Sequence, residues 1–360
     1  MFEPTFSPAA VKSYTQIMDK VTLQTMEDWS SSGQYQTSKE WANLAMKLFF
    51  ICALGEDMVD DELFVELNRL FEQWEIGFRT SLALKLPGTA LWTGHKGKEG
   101  VDNLLMNTID DFRKKNPKDS TDANNSSSSS SSSMLGRLCY DDDPLSDSQI
   151  AANIRFIVFA GHDTTKGSFS AFLHFLLNDL DSSIKTNLID EVCSFQEPLD
   201  PDELKSAPIL NAFLAETWRL VPPLDSHNIK ATRTIQHPDG WTITKGSNVS
   251  IELQLWSMND PEQYPDPTEF RIERWIPEGH PLYDPKFFRK GVDYNVMNAQ
   301  YRSFHSGAHM CLGGHFAKLE ARIVLTRLLQ TYNIQLQDES LKHFPLRQYS
   351  NEFKLTPREG

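Results

Sequence analysis

The stretch from Ser146 to Leu180 constrains this chain most, because its apolar residues recur at helical spacing over an unusually long run. It reads as one long apolar helix, with Ser146 as N-cap and Asp147 beside the positive helix end. Such a helix needs others to bury it, and the flanking sequence supplies them. Upstream, apolar residues three and four apart in Trp41–Ile51 and Leu63–Trp74 predict packed helices, with a turn at Pro87-Gly88. Downstream, Ile184–Ser194 and Pro208–Leu220 predict two more, the second stopped by Pro222-Pro223. Trp241–Ile251 alternates around Lys245-Gly246 and predicts a β-hairpin, followed by a Pro-rich loop over Pro261–Pro281 and a last helix over Cys311–Tyr332. The fold class is therefore mainly α with a small antiparallel β element.

Between Lys114 and Pro144 the chain turns polar and carries eight consecutive serines, Ser126–Ser133, which cannot offset the entropy of ordering. Residues 115–145 are expected to be a disordered surface loop, with a cleavable interdomain linker as the rival. Helical patterning resumes unchanged beyond them, which favours one domain over 1–360. A formal charge of -14 argues against nucleic acid as a partner, since phosphate binding needs a basic face. Four scattered cysteines give neither a disulfide framework nor a CxxC zinc site. The longest apolar runs, such as Leu44–Leu54, fall short of the roughly 20 residues a membrane span needs.

Four constellations carry chemistry. In Phe304-His305-Ser306-Gly307-Ala308-His309-Met310-Cys311-Leu312-Gly313 a cysteine sits at the mouth of a helix, where backbone N–H groups and the helix dipole stabilise a thiolate. Gly307 permits a tight turn, Gly313 lets a flat ligand approach, and Phe304 can shield the sulfur. Within the long helix, Ala160-Gly161-His162-Asp163-Thr164-Thr165 joins a helix-weakening glycine to an acid and a hydroxyl. Thr164 can bond a carbonyl one turn back, opening a groove in which Asp163 and Thr164 relay protons. A simple kink is the structural alternative. Glu216 and Arg219 lie three apart on an apolar helix face, with Arg274 in Phe270-Arg271-Ile272-Glu273-Arg274-Trp275 as candidate third member. Arg233 is either an anion-binding arginine or a surface charge.

In this order the four resemble the cytochrome P450 superfamily, through AGxDTT, ExxR, an FxxxRW loop and FxxGxHxCxG. The resemblance implies the P450 fold, haem b bound with Cys311 as axial thiolate, and a monooxygenase acting on O2 and an apolar substrate. It implies Asp163 and Thr164 as the acid and alcohol of oxygen activation, and Glu216, Arg219 and Arg274 as the triad that locks the haem loop. Ala160, Phe304, Gly307, Leu312, Gly313 and Ala317 are expected against the cofactor, with His309 and Arg233 as propionate donors. Phe156, Phe159, Ala160, Leu224, Asp225 and Ser226 are expected to line the substrate pocket.

Electrons are expected from NADPH-cytochrome P450 reductase or a ferredoxin, docked on a basic face of Arg289, Lys290, Arg302, Lys318 and Arg322. Phe-Ala-Gly-His-Asp-Thr-Thr is similar to the branch of retinoic-acid hydroxylases and sterol oxidases, which points to an isoprenoid, sterol or fatty-acid-like substrate. Family members commonly carry a further N-terminal part with an anchor, so localisation at the endoplasmic reticulum membrane depends on that part. Without it the expectation is the cytoplasm or a plastid. The alternative function is a non-catalytic fragment that binds haem weakly and serves as an interaction module.

Overall fold

A computed structural model of the chain describes residues 3–78, 80–81, 84–117, 134–140, 145–224, 226–288, 303–342 and 348–358. The helices before the serine tract are α1 (Pro8–Lys12), α2 (Thr15–Ser32), α3 (Ser38–Leu54), α4 (Asp61–Phe78) and α5 (Ala90–Lys115). After it come α6 (Met134–Tyr140), α7 (Asp147–His174), α8 (Ser182–Cys193), α9 (Pro201–Ser206) and α10 (Pro208–Leu220). α11 (Leu253–Met258) and α12 (Gly314–Thr331) complete the set.

α7 is the helix expected over Ser146–Leu180. Its start is a capping box: the Gln149 backbone N–H donates to Ser146 Oγ, and Gln149 Oε1 accepts from the Ser146 N–H at 2.9 Å. Its last turn, Phe175–Asp179, widens into a π turn. α3 and α5 pack along it. The core closes where Trp41 of α3 stacks on Phe353 at 4.8 Å and meets Phe169 of α7 at 5.1 Å. Such a cluster joins residues over three hundred positions apart and lies among fully buried side chains.

α4 and α5 approach backbone to backbone. A Cβ on Gly77 would meet Gly94 Cα at 2.7 Å, and one on Gly97 would meet the Leu70 carbonyl at 2.6 Å. Only glycine fits there.

Sheet structure is small and antiparallel. Strand β1 (Gln36–Thr37) pairs with the C-terminal Gln348–Pro357, which also pairs with Tyr332–Lys342. The hairpin expected over Trp241–Ile251 does not form. Its two arms instead pair upstream: β4 (Thr242–Ile243) with β3 (Ile235–Gln236), and β5 (Asn248–Glu252) with β2 (Ser226–Lys230). Alternation marks a strand but does not choose its partner. Gly246 does turn with φ 89°.

Two further expectations change. Helix α6 falls inside the range read as loop, because Met134, Leu135, Leu138 and Cys139 are buried and Arg113 donates to the Cys139 carbonyl. Positions 118–133 and 141–144 of that range lie outside the described residues. The last helix begins at Gly314, so Cys311 precedes it in a loop.

Candidate active site

α10 is apolar enough to be buried on every side, and this turns an ordinary i,i+3 pair into a buried one. Glu216 is fully buried. Its carboxylate accepts from Arg219 Nε and Nη2, both at 2.8 Å, from Arg274 Nε at 3.1 Å, from the Arg271 N–H at 2.9 Å and from Trp275 Nε1 at 2.9 Å. Burial alone would push this carboxyl up. The two guanidinium groups more than offset it and hold Glu216 below the usual range. Arg274 is pulled below its ordinary value by burial, with Glu216 opposing.

The other guanidinium N–H groups bond carbonyls of the Pro-rich loop and of Ser257 in α11. Arg219 Nη1 donates to Pro267 at 2.7 Å and Arg274 Nη2 to Asp266 at 2.7 Å. Glu216, Arg219 and Arg274 therefore meet in one cluster, and Arg271 and Trp275 join it. Arg271 joins through its backbone N–H, which no side-chain pattern announces.

α10 also holds the cysteine loop, through Trp218. Its indole N–H donates to Ser168 Oγ of α7 at 2.8 Å, and its carbonyl accepts from Ser303 Oγ at 2.9 Å. Phe304 packs edge-on against its ring at 5.0 Å. The loop is closed by the Cys311 N–H donating to the Phe304 carbonyl at 2.8 Å, over a tight turn with positive φ at His305 (60°) and Gly307 (65°).

Burial pushes the Cys311 thiol up, and a hydrogen bond from the Gly313 N–H opposes this. Cys311 is nonetheless exposed to solvent, as are Met310 and Leu312.

These residues fit a haem. A thiol that receives a backbone N–H suits a soft ligand to iron, and coordination to a cation ionises such a thiol outright. Leu312 presents apolar surface beside it, and a Cβ at Gly307 or Gly313 would meet nothing within 4 Å, leaving room for a flat macrocycle. Ala317 is half-buried on the first turns of α12. Arg233 is exposed beyond β2. His309 is exposed and lies 5.5 Å edge-on from His227.

On α7, Thr164 donates back to the carbonyls of Ala160 at 2.9 Å and Gly161 at 3.1 Å, the back-bonding expected of it. The helix runs unbroken through this point, and a Cβ on Gly161 would meet nothing within 4 Å. Asp163 pairs with Lys166 one turn on. His162 is buried against Glu75 of α4, with its Nε2 3.9 Å from Asp163, an engagement that no spacing in the sequence announces.

The expected pocket residues separate. Phe156 (64% exposed), Ala160 and Leu224 are exposed and Ser226 is half-buried, whereas Phe159 packs between Trp74 at 5.0 Å and Phe78 at 4.8 Å. Phe159 thus belongs to the α4–α7 interface. Asp225 lies outside the described residues.

The basic docking face is not supported where it is described. Lys318 is buried under the Phe304 ring at 5.3 Å, and Arg322 Nε donates to Asn211 Oδ1 at 2.7 Å. α12 is covered on nearly all sides, so its basic residues serve the interior. Arg289, Lys290 and Arg302 lie outside the described residues. Among the described residues no helix is long and apolar enough to cross a membrane.

Residues 1–359 match the family model for cytochrome P450. Abscisic acid 8'-hydroxylase 2 of Arabidopsis thaliana is 24% identical over 372 residues, covering 99% of this chain and 70% of that protein. The bifunctional cytochrome P450/NADPH–P450 reductase of Aspergillus oryzae is 27% identical, and the match spans 94% of this chain but 30% of that protein's length. Among solved structures, retinoic-acid-bound cyanobacterial CYP120A1 superposes with a TM-score of 0.76 at 24% identity, covering 99% of this chain and 77% of that one. That likeness is one of fold. With its sequence matched from end to end, this chain belongs to the cytochrome P450 family.

Proposed function

We propose that the chain holds haem b through the Cys311 thiolate and inserts one atom of O2 into an apolar substrate. The observation that carries this is the Cys311 loop: a sulfur with the Gly313 N–H aimed at it, tied through Phe304 and Trp218 to α10, the helix that also carries Glu216. Haem, when bound, supplies the iron at which dioxygen is activated. Lys318 lies over the Phe304 ring beside the loop and holds that ring in place. Thr164 holds its hydroxyl on the α7 backbone, and Asp163 holds a carboxylate between Lys166 and His162, so the pair can move protons from the α4 side.

Phe156, Ala160 and Leu224 offer apolar or small surface for substrate. An isoprenoid, sterol or fatty-acid-like molecule fits, and the abscisic acid and retinoic acid in the relatives' names support the isoprenoid reading. The reductase fused to the Aspergillus oryzae relative supports NADPH-P450 reductase as electron donor, with a ferredoxin as the other class.

Reduced, carbon monoxide-treated protein should show the long-wavelength Soret band of thiolate ligation, and Cys311→Ser should lose it. A wild-type spectrum with only the short-wavelength, histidine-type band would refute the ligand. Asp163→Asn and Thr164→Ala should cut product formation by about 10²-fold while oxygen consumption continues. Unchanged coupling of oxygen to product would remove them from the mechanism.

A further inference from the structure

His162 lies within the α7 motif, yet the chemistry derived above gives it no step of its own, and it is only 7% exposed. Its Nδ1 has no hydrogen-bond partner among the described residues. An orphaned buried nitrogen destabilises a fold, so in a native one it marks a residue kept for another purpose, a bound ion among them. The other nitrogen, Nε2, faces the Glu75 carboxylate of α4 and stands 3.9 Å from Asp163 Oδ1. One ligand atom from each of Glu75, His162 and Asp163 lies within 4.8 Å of the other two, and no other trio of His, Cys, Asp and Glu gathers in this way among the described residues.

The frame around these three is rigid. Adjacent residues on a helix do not face each other, so His162 and Asp163 converge only on a point that lies off α7 and between them. Glu75 closes that side from α4. It precedes the contact at Gly77, where α4 and α5 meet backbone to backbone, and follows Trp74, whose ring packs on Phe159 at 5.0 Å and under the Arg155 guanidinium at 5.1 Å. Imidazole nitrogen and carboxylate oxygen are zinc donors, and in a tetrahedral site neighbouring donors stand about 3.4 Å apart, so the widest gap here closes by about 1.4 Å. Carboxylate side-chain torsions supply that movement.

We propose that Glu75, His162 and Asp163 bind a zinc ion that pins α4 to α7, with its fourth position left to water. Lys166, whose ammonium pairs with Asp163 Oδ1, competes with the ion for that oxygen. The site depends neither on Cys311 nor on haem.

Calorimetric titration of zinc chloride into the haem-loaded chain tests the site, beside Glu75→Gln, His162→Gln and Lys166→Gln, with haem-free Cys311→Ser as control. Wild type and Cys311→Ser should bind one zinc at this site with the same affinity. Glu75→Gln and His162→Gln should weaken it at least about tenfold, since loss of even an outer partner of a metal site does that much. Lys166→Gln should tighten it about tenfold, because a competing positive charge is gone. Zinc should also raise the melting temperature of wild type but not of Glu75→Gln. Equal affinity in wild type and Glu75→Gln, or no zinc bound by wild type at about 1 mM, would overturn the site. Should His162→Gln fail to fold, Glu75→Gln and Lys166→Gln decide the question, since both of those side chains are partly exposed.

Discussion

Replacing Glu320 with Gln should stabilise the protein, and by an amount that grows with pH. Glu320 lies on α12, is buried, and its Oε1 has no hydrogen-bond partner among the described residues. Burial pushes its carboxyl from 4.5 up to about 8. In the unfolded chain this group ionises near pH 4.5, whereas in the folded protein it stays protonated to about pH 8. The native state therefore binds the extra proton, and stability falls as pH rises across that window.

Each pH unit within it costs the fold about 1.4 kcal/mol, which accumulates to about 5 kcal/mol by pH 8 and then levels off. Glutamine does not titrate, so Glu320→Gln should match wild type near pH 4.5 and exceed it by about 5 kcal/mol at the top of the range. Urea unfolding of both proteins across these pH values measures the difference directly. A gap that stays flat with pH would refute the reasoning, since it would place the ionisation outside the core.

Glu216→Gln should destabilise by about 3 to 5 kcal/mol, because two buried guanidinium groups lose their counter-charge, and thermal unfolding will read it. A loss below 1 kcal/mol would show that carbonyls alone satisfy them. Gly97→Ala should cost about 1 to 3 kcal/mol by forcing α4 and α5 apart, where the new Cβ would meet the Leu70 carbonyl at 2.6 Å. An unchanged melting temperature would contradict that close approach.

The features legible in the sequence are those set by short spacing. Ser146 and Gln149 are three residues apart, so their capping box is written locally. Glu216 and Arg219 share a helix face for the same reason, and the apolar surroundings of α10 announce that the pair is buried. Phe304 to Gly313 likewise forms one loop whose glycines and cysteine act on neighbours.

Tertiary packing decided the rest, because the partners come from far along the chain. Strands β4 and β5 carry alternation but nothing that selects β3 and β2 over each other. Lys318 and Arg322 have the charge of a docking face, yet the helices around α12 bury them. Glu75 reaches His162, and His227 reaches His305, across gaps of about eighty residues that no periodicity spans. A period tells which way a side chain points along its own element, and only the assembled fold tells what stands opposite it.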